Sequence, residues 1–269
     1  MHILKHVHLY DAPSAGTLHT SELIDYVGQR MGGIPVTLRG EFFGHQLSGE
    51  DDEMNEVAER LARCKVRSLE KPEVVFKPLP AEVDYERKFL RRPESKPFGI
   101  LYDGVTFLRI LWEWIPDEER NHDHLHIVLS NQLLGTYDAN DRRYHARVAI
   151  FGMPCVISTT GVIEGPARPK AFYLLKQQFA AIGRSSDTYQ LQEQFRGEFV
   201  EHNDERMTEI LKGYIMQAVF YHMTGDPFCD DPNCRLYNAH WQKEMIHAQL
   251  ESPYEFCRNH TNVLQQFMH

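Results

Sequence analysis

Cys229, Cys234, Cys257 and His260 are the residues whose types and spacing point most directly to chemistry. They read C-x4-C, a gap of about twenty residues, then C-x2-H, a pattern in which two short turns converge on one tetrahedral centre. Three sulfur ligands and one imidazole favour Zn(II) over hard cations. Four protein ligands leave no position for water, so the expectation is one structural zinc ion rather than a catalytic one. Arg235 and Arg258 each follow a ligand cysteine and are expected to offset the surplus negative charge. The competing reading is a disulfide with a spare cysteine and histidine. The chain has five cysteines, and Cys64 and Cys155 lie in apolar surroundings far from the cluster. The N-terminal run MHILKHVHLYDAP reads as a short strand broken at Pro13, without the pattern of a secretory leader. A cytoplasmic, reducing location is therefore expected, where clustered cysteines hold metal more often than each other.

Two further groups have the residue types of metal ligands. His240, Glu244 and His247 fall on one face of an expected helix, with Glu251 extending the stripe. Such sites need a matching second helix, and none is evident, so this face is read as solvated or as a contact surface. His122, His124 and His126 alternate as residues on one side of a strand would. They follow the acidic, loop-like run Pro116 to Arg120 and are read as exposed histidines near the start of a strand. No nucleophile elbow, phosphate loop or dinucleotide-binding glycine pattern occurs at a strand–helix junction. Cys155, after Pro154 in an apolar run, is read as core.

The elements that must position these groups follow from periodicity. Strands are expected at His6 to Tyr10, Ile34 to Leu38, Phe98 to Tyr102, His126 to Ser130, Arg147 to Phe151 and Cys155 to Thr159. Ser21 to Met31 and Asp51 to Arg63 carry helical stripes, the second opening on an acidic first turn. Phe107 to Ile115 fits helix or strand, Lys71 to Pro97 an irregular excursion, and Gly161 to Pro169 a flexible loop. Beyond Pro169 the chain reads as helix: one run ends at Gly183, a long one from Asp204 to Gly225 is capped by Asn203, and one capped by Asn238 extends to Leu250. The expectation is one α/β or α+β domain over 1–269, strand-rich over 1–165 and helical with a zinc knob over 166–269. The charge of −9 argues against a nucleic-acid partner, and no run is long enough for a membrane span.

The stretch His222 to Cys234, HMTGDPFCDDPNC, resembles the tail of the archaemetzincin motif HExxHxxGxxHC followed by x4-C. Cys257 to His260 is similar to that family's second cysteine pair, with histidine in the last place. The resemblance implies an archaeal-type metallopeptidase homologue with a metzincin-like mixed sheet, packed helices and a structural zinc held by the cysteine set. In that family the motif's histidines hold a catalytic zinc and its glutamate is the general base. Aligned on Gly225 and Cys229, this chain has His222 at the second histidine, Ala218 at the first, Val219 at the glutamate and Phe228 at the third. Leu236 stands at the family's methionine. One ligand and no base remain, so the resemblance implies a pseudoenzyme with no catalytic residues, packed among apolar neighbours at His222 and acting through a peptide or protein partner. A working zinc metallopeptidase with ligands elsewhere stays open, as do substrate and oligomeric state.

Overall fold

The computed structural model describes residues 4–12, 16–72, 76–94, 99–183 and 193–267. Pro13, Pro97 and Phe98 lie outside them. The centre of the α/β fold is a five-stranded sheet in the order β2 (Val36–Arg39), β1 (His6–Tyr10), β4 (His124–Ser130), β8 (Cys155–Ser158) and β7 (Ala149–Ile150). The first four strands are parallel, and β7 joins the edge antiparallel to β8. A smaller sheet is formed by β3 (Leu101–Asp103), β5 (Leu133–Asp138) and β6 (Arg143–Arg147). Its β5–β6 hairpin turns where Asp138 to Asp141 predict a turn, and the Asp138 carboxylate accepts from Asn140 N at 2.8 Å.

Strand alternation divides the central sheet into two buried faces. Val7, Leu9, Leu125, Ile127, Leu129, Cys155 and Ile157 face one apolar core. It is completed by α1 (Thr20–Arg30), through Leu23, Tyr26 and Val27, and by α8 (Met207–Thr224). Tyr10, Val128 and Val156 face the opposite core. That side is closed by α2 (Phe42–Gln46), α3 (Asp51–Cys64), α4 (Pro80–Arg91) and α5 (Gly104–Trp114). Both faces of a parallel sheet are thereby covered.

The helix α8 is buried nearly all round, from Met207 to Phe220, as expected of a helix without a polar stripe. It ends at Gly225, whose φ of 80° places it in the left-handed position. Its first turn starts at Met207, three residues later than the Asp204 start expected from Asn203; Asn203 itself has a φ of 62° and lies before the helix.

Several expectations are corrected. Within the run read as irregular, Pro80 opens α4, and Glu82 accepts from Leu79 N at 2.9 Å. Glu86 of that helix is fully buried, and its Oε1 pairs with Lys65 Nζ at 2.6 Å and accepts from Tyr102 Oη at 2.9 Å, while Oε2 is left without a hydrogen-bond partner. Phe107 to Trp114 is helical, with Asp103 capping α5 by accepting from Thr106 N at 2.7 Å, and Ile115 is the extended residue that ends the helix. Gly161 to Pro169 is not wholly a loop, since α6 (Thr159–Glu164) runs through it, capped by Ser158. The strand expected at Arg147 to Phe151 splits between β6 and β7. The run beyond Asn238 begins instead at α9 (Gln242–Ile246), becomes a π-helical turn over His247–Glu251, and is followed by α10 (Arg258–Phe267). After Pro169, α7 (Lys170–Ala181) forms where expected. Among the described residues, no helix is long and apolar enough to cross a membrane.

Gly161 marks the closest approach of α6 to the neighbouring strand. A Cβ there would lie 2.3 Å from the Arg147 carbonyl oxygen and 3.0 Å from Val148 Cα, both backbone atoms. Gly161→Ala is expected to destabilise the protein by about 1–3 kcal/mol, read as a lower denaturant midpoint at unchanged slope. A midpoint equal to that of the unmodified chain would refute this packing.

Candidate metal centre

The four residues singled out by spacing meet. Their ligand atoms (three Sγ and His260 Nδ1) all lie within 4.8 Å of one another. Cys229 Sγ is 3.8 Å from Cys257 Sγ, the edge of a tetrahedron whose metal–sulfur distance is about 2.3 Å. His260 Nδ1 lies 3.7 Å from Cys234 Sγ and 3.1 Å from Cys257 Sγ. All five cysteines are free, and the S–S separation is far too long for the competing disulfide. The donor set therefore fits one zinc ion.

Local backbone bonds shape this knob. Cys229 N donates to Leu236 O at 3.0 Å, Cys234 N to Asp231 O at 2.9 Å, and Arg235 N to Glu255 O at 2.8 Å, tying the two cysteine turns together. Asp231 N approaches Cys229 Sγ at 3.4 Å and Cys257 N approaches Cys234 Sγ at 3.5 Å, as amides do around thiolates. Cys234 and Leu236 are fully buried in the same core as α8. The His260 ring stands edge-on to Phe220 at 5.1 Å, so the site is fastened to that helix. Burial pushes the Cys229 thiol up to about 12, and a dication supplies the charge that deprotonation requires. Arg235 has a different role from the one expected. Its guanidinium donates to Glu209 at 2.5 Å and to Gln249 O at 3.3 Å, and it pairs with Glu255 at 3.7 Å.

Around His222 the geometry is of another kind. Ala218 and Val219 are fully buried in the core. Phe228 is half-exposed and stands edge-on to Phe151 at 5.7 Å, while Tyr221 lies against Phe151 at 5.6 Å. The purely apolar surroundings expected for His222 need correcting: its Nε2 lies 2.9 Å from the His122 carbonyl oxygen and its ring 6.0 Å from the His122 ring. A cleft of about 300 Å³ lies beside this helix, walled by Arg147 and Phe151 on the strand side, by Tyr214 and Gln217 of α8, and by Phe228 and Tyr237.

His240, Glu244 and His247 do not converge among the described residues. Glu244 caps α9 by accepting from His240 N at 2.9 Å and Trp241 N at 3.1 Å, and His247 Nε2 lies 2.8 Å from Asn233 Oδ1. Cys155 is fully buried, and burial pushes its thiol up to about 12, which agrees with the core reading.

The reading of His122, His124 and His126 as exposed is overturned beyond His122. Parallel pairing of β1 with β4 sets His6 beside His124 and His8 beside His126. His126 is fully buried and His8 nearly so. The rings form a ladder, with centroids 5.0 Å apart for His6–His124, 5.3 Å for His8–His124 and 4.8 Å for His8–His126. Glu119, from the short 3-10 turn Asp117–Glu119, reaches over the ladder. Arg39 clamps that carboxylate with bonds of 2.6 and 2.7 Å, and a third bond of 2.8 Å runs from Arg39 to Tyr10 Oη. Hydrogen bonding to Arg39 holds Glu119 down at about 2; burial holds His8 at about 4 and His126 at about 3. The signal for this group was the second alternation, His6 and His8, which acquires meaning only when the two strands pair.

The model of a family described as "Probable metallopeptidase family (DUF6775)" matches residues 3–267. No curated protein matches the chain. A solved structure titled as a zinc-dependent peptidase from Methanocorpusculum labreanum (strain Z) is similar over 98% of this chain and 100% of its own, at 12% identity and a TM-score of 0.41.

Two outcomes are expected of these sites. Cys257→Ser should lower both the bound zinc and the thermal midpoint, measured by elemental analysis and calorimetry; unchanged zinc content would exclude Cys257 as a ligand. The second concerns pH. His8 and His126 have folded values below the 6.5 of an unfolded histidine, so the unfolded chain takes up protons first as pH falls. Their contribution to stability is complete above pH 6.5 and is lost as pH drops towards 4 for His8 and 3 for His126. The thermal midpoint should fall across that window, and less steeply in His126→Gln; parallel profiles would contradict the role given to burial.

Proposed function

Because this chain belongs to the family described as "Probable metallopeptidase family (DUF6775)", we propose that it is a peptidase homologue which keeps a structural zinc and has lost hydrolysis at its long helix. It acts instead by holding a peptide or a protein segment. The observation that carries the reading is the burial of Ala218 and Val219, which occupy the positions of a zinc ligand and a general base in the motif the sequence resembles. Neither side chain binds a cation or accepts a proton, and both are sealed in the core. Absence of a base alone costs about 10²–10⁴ in rate. His222, the one ligand type retained at this site, is engaged by the His122 carbonyl.

Binding needs less than hydrolysis does. The edge strand β7 has β8 on one side only, and the cleft beside it is lined by aromatic and polar groups. An extended segment can add to such an edge through backbone bonds while its side chains use the cleft. Phe228 takes a wall position in this reading rather than a metal-binding one.

A working hydrolase with its metal held elsewhere is the competing reading, favoured by the imidazoles and carboxylate gathered between β1 and β4. An assay separates the two. With zinc present, a broad peptide library is expected to show binding without chelator-sensitive turnover, and Phe228→Ala to weaken the binding. Turnover that disappears in His222→Ala would revive catalysis at the long helix. Turnover indifferent to His222 but lost in His124→Gln would favour the competing reading.

A further inference from the structure

The ladder between β1 and β4 is not used by the function proposed above. We propose that His8, His124 and Glu119 form a second metal site, taking a divalent first-row transition cation through two imidazole nitrogens and one carboxylate oxygen.

The argument begins with distance. His8 Nε2 lies 2.9 Å from His124 Nδ1 and 4.0 Å from Glu119 Oε1, and the three ligand atoms lie within 4.8 Å of one another. Two nitrogens each about 2.1 Å from one cation, at an angle near ninety degrees, stand about 3 Å apart, so the imidazoles already hold the required separation. Glu119 Oε1, bonded to Arg39 at 2.6 Å, would have to move about 1 Å towards the imidazoles to close the third side. Two imidazoles with a carboxylate suit zinc, cobalt, nickel or ferrous iron and are poor ligands for calcium or magnesium, which take oxygen.

The fold uses part of each group, with His8 Nε2 and His124 Nδ1 at hydrogen-bond distance and Glu119 paired to Arg39, and a cation would take the place of the His–His contact. His8 Nδ1 is buried without a partner, and its other ring nitrogen faces an imidazole and a carboxylate. His124 is half-buried, and Thr37, beside His8 in the pairing of β1 with β2, is exposed, so one flank of the group opens to solvent. Three protein ligands leave a position for water on that flank. The outer groups are arranged to orient the inner ones. Arg39 grips Glu119 through both oxygens, Tyr10 Oη lies 3.1 Å from His126 Nδ1, and Gln46 Nε2 donates to Tyr10 Oη at 2.9 Å.

This site is distinct from the cysteine site. Cys234 belongs to the core on the Val7 and Leu9 face, whereas His8 alternates to the opposite face of the same strand. Their spectra differ too, because a site without sulfur gives no thiolate charge-transfer band.

The test is a cobalt(II) titration of the full chain, first with the cysteine site filled by zinc and then in Cys257→Ser. The expected result is one equivalent of cobalt with d–d absorption and no thiolate band in the zinc-filled protein, and the same sulfur-free d–d absorption in Cys257→Ser beside any thiolate band from the remaining Cys229 and Cys234. His124→Gln, at a half-buried position, should weaken this binding at least about tenfold, as should Glu119→Gln, while circular dichroism remains that of the parent. His8→Gln should do the same where it folds. No sulfur-free cobalt band in the unmodified protein, or a band of equal affinity in both His124→Gln and Glu119→Gln, would overturn the proposal and leave Glu119 as the ion-pair partner of Arg39. The readout is binding, so it stands apart from the peptide assay.

Discussion

The structure depends on the burial of one helix. α8 has apolar neighbours on nearly every side and lies against β4 and β8, so its position is set by packing rather than by an amphipathic edge. Everything of chemical interest in the C-terminal part is referred to it. The left-handed Gly225 turns the chain into the first cysteine pair. Phe220 receives the His260 ring, and His222 meets the carbonyl of His122 just ahead of β4. Buried polar side chains hold the flanking segments in place. Gln242 takes the Val162 and Ile163 carbonyls and accepts from Val200 N, and Gln249 packs where Gly213 leaves no Cβ.

The burial that builds the core also separates two kinds of polar chemistry. On one side of the sheet, thiols and an imidazole crowd together at a spacing that fits a tetrahedral zinc ion. On the other side, His8 and His126, whose pKa values burial lowers, flank a carboxylate that Arg39 holds ionised. On α8 itself, Ala218 and Val219 are fully buried in the core. Membership of a metallopeptidase family and an apolar motif helix are compatible, because a fold persists when its packing persists.

How much was legible in the sequence varied with how local the cause was. The cysteine set was legible because ligand spacing within each turn is a short-range constraint, and only the gap between turns needed folding to close it. The acidic start of α3, the glycine end of α8 and the strand at His6 to Tyr10 were legible for the same reason. The helix α4 and the pair β5–β6 were not. Charged residues masked the first, and the second comprises mixed-polarity strands whose hairpin partner supplies the pattern.

From the sequence alone followed the residue types able to bind zinc, the absence of a ligand and a base at Ala218 and Val219, and the likeness to a metallopeptidase motif. These are properties of residue identity and short spacing, which no fold alters. Tertiary structure alone decided what His6, His8, His124 and His126 are. Two histidine alternations more than a hundred residues apart became one ladder because β1 pairs parallel with β4 in a register that sets His8 beside His126. Strand register is fixed by which alternate residues the core accepts, here Val7, Leu9, Leu125 and Ile127, so the histidines were carried together by the burial of their neighbours.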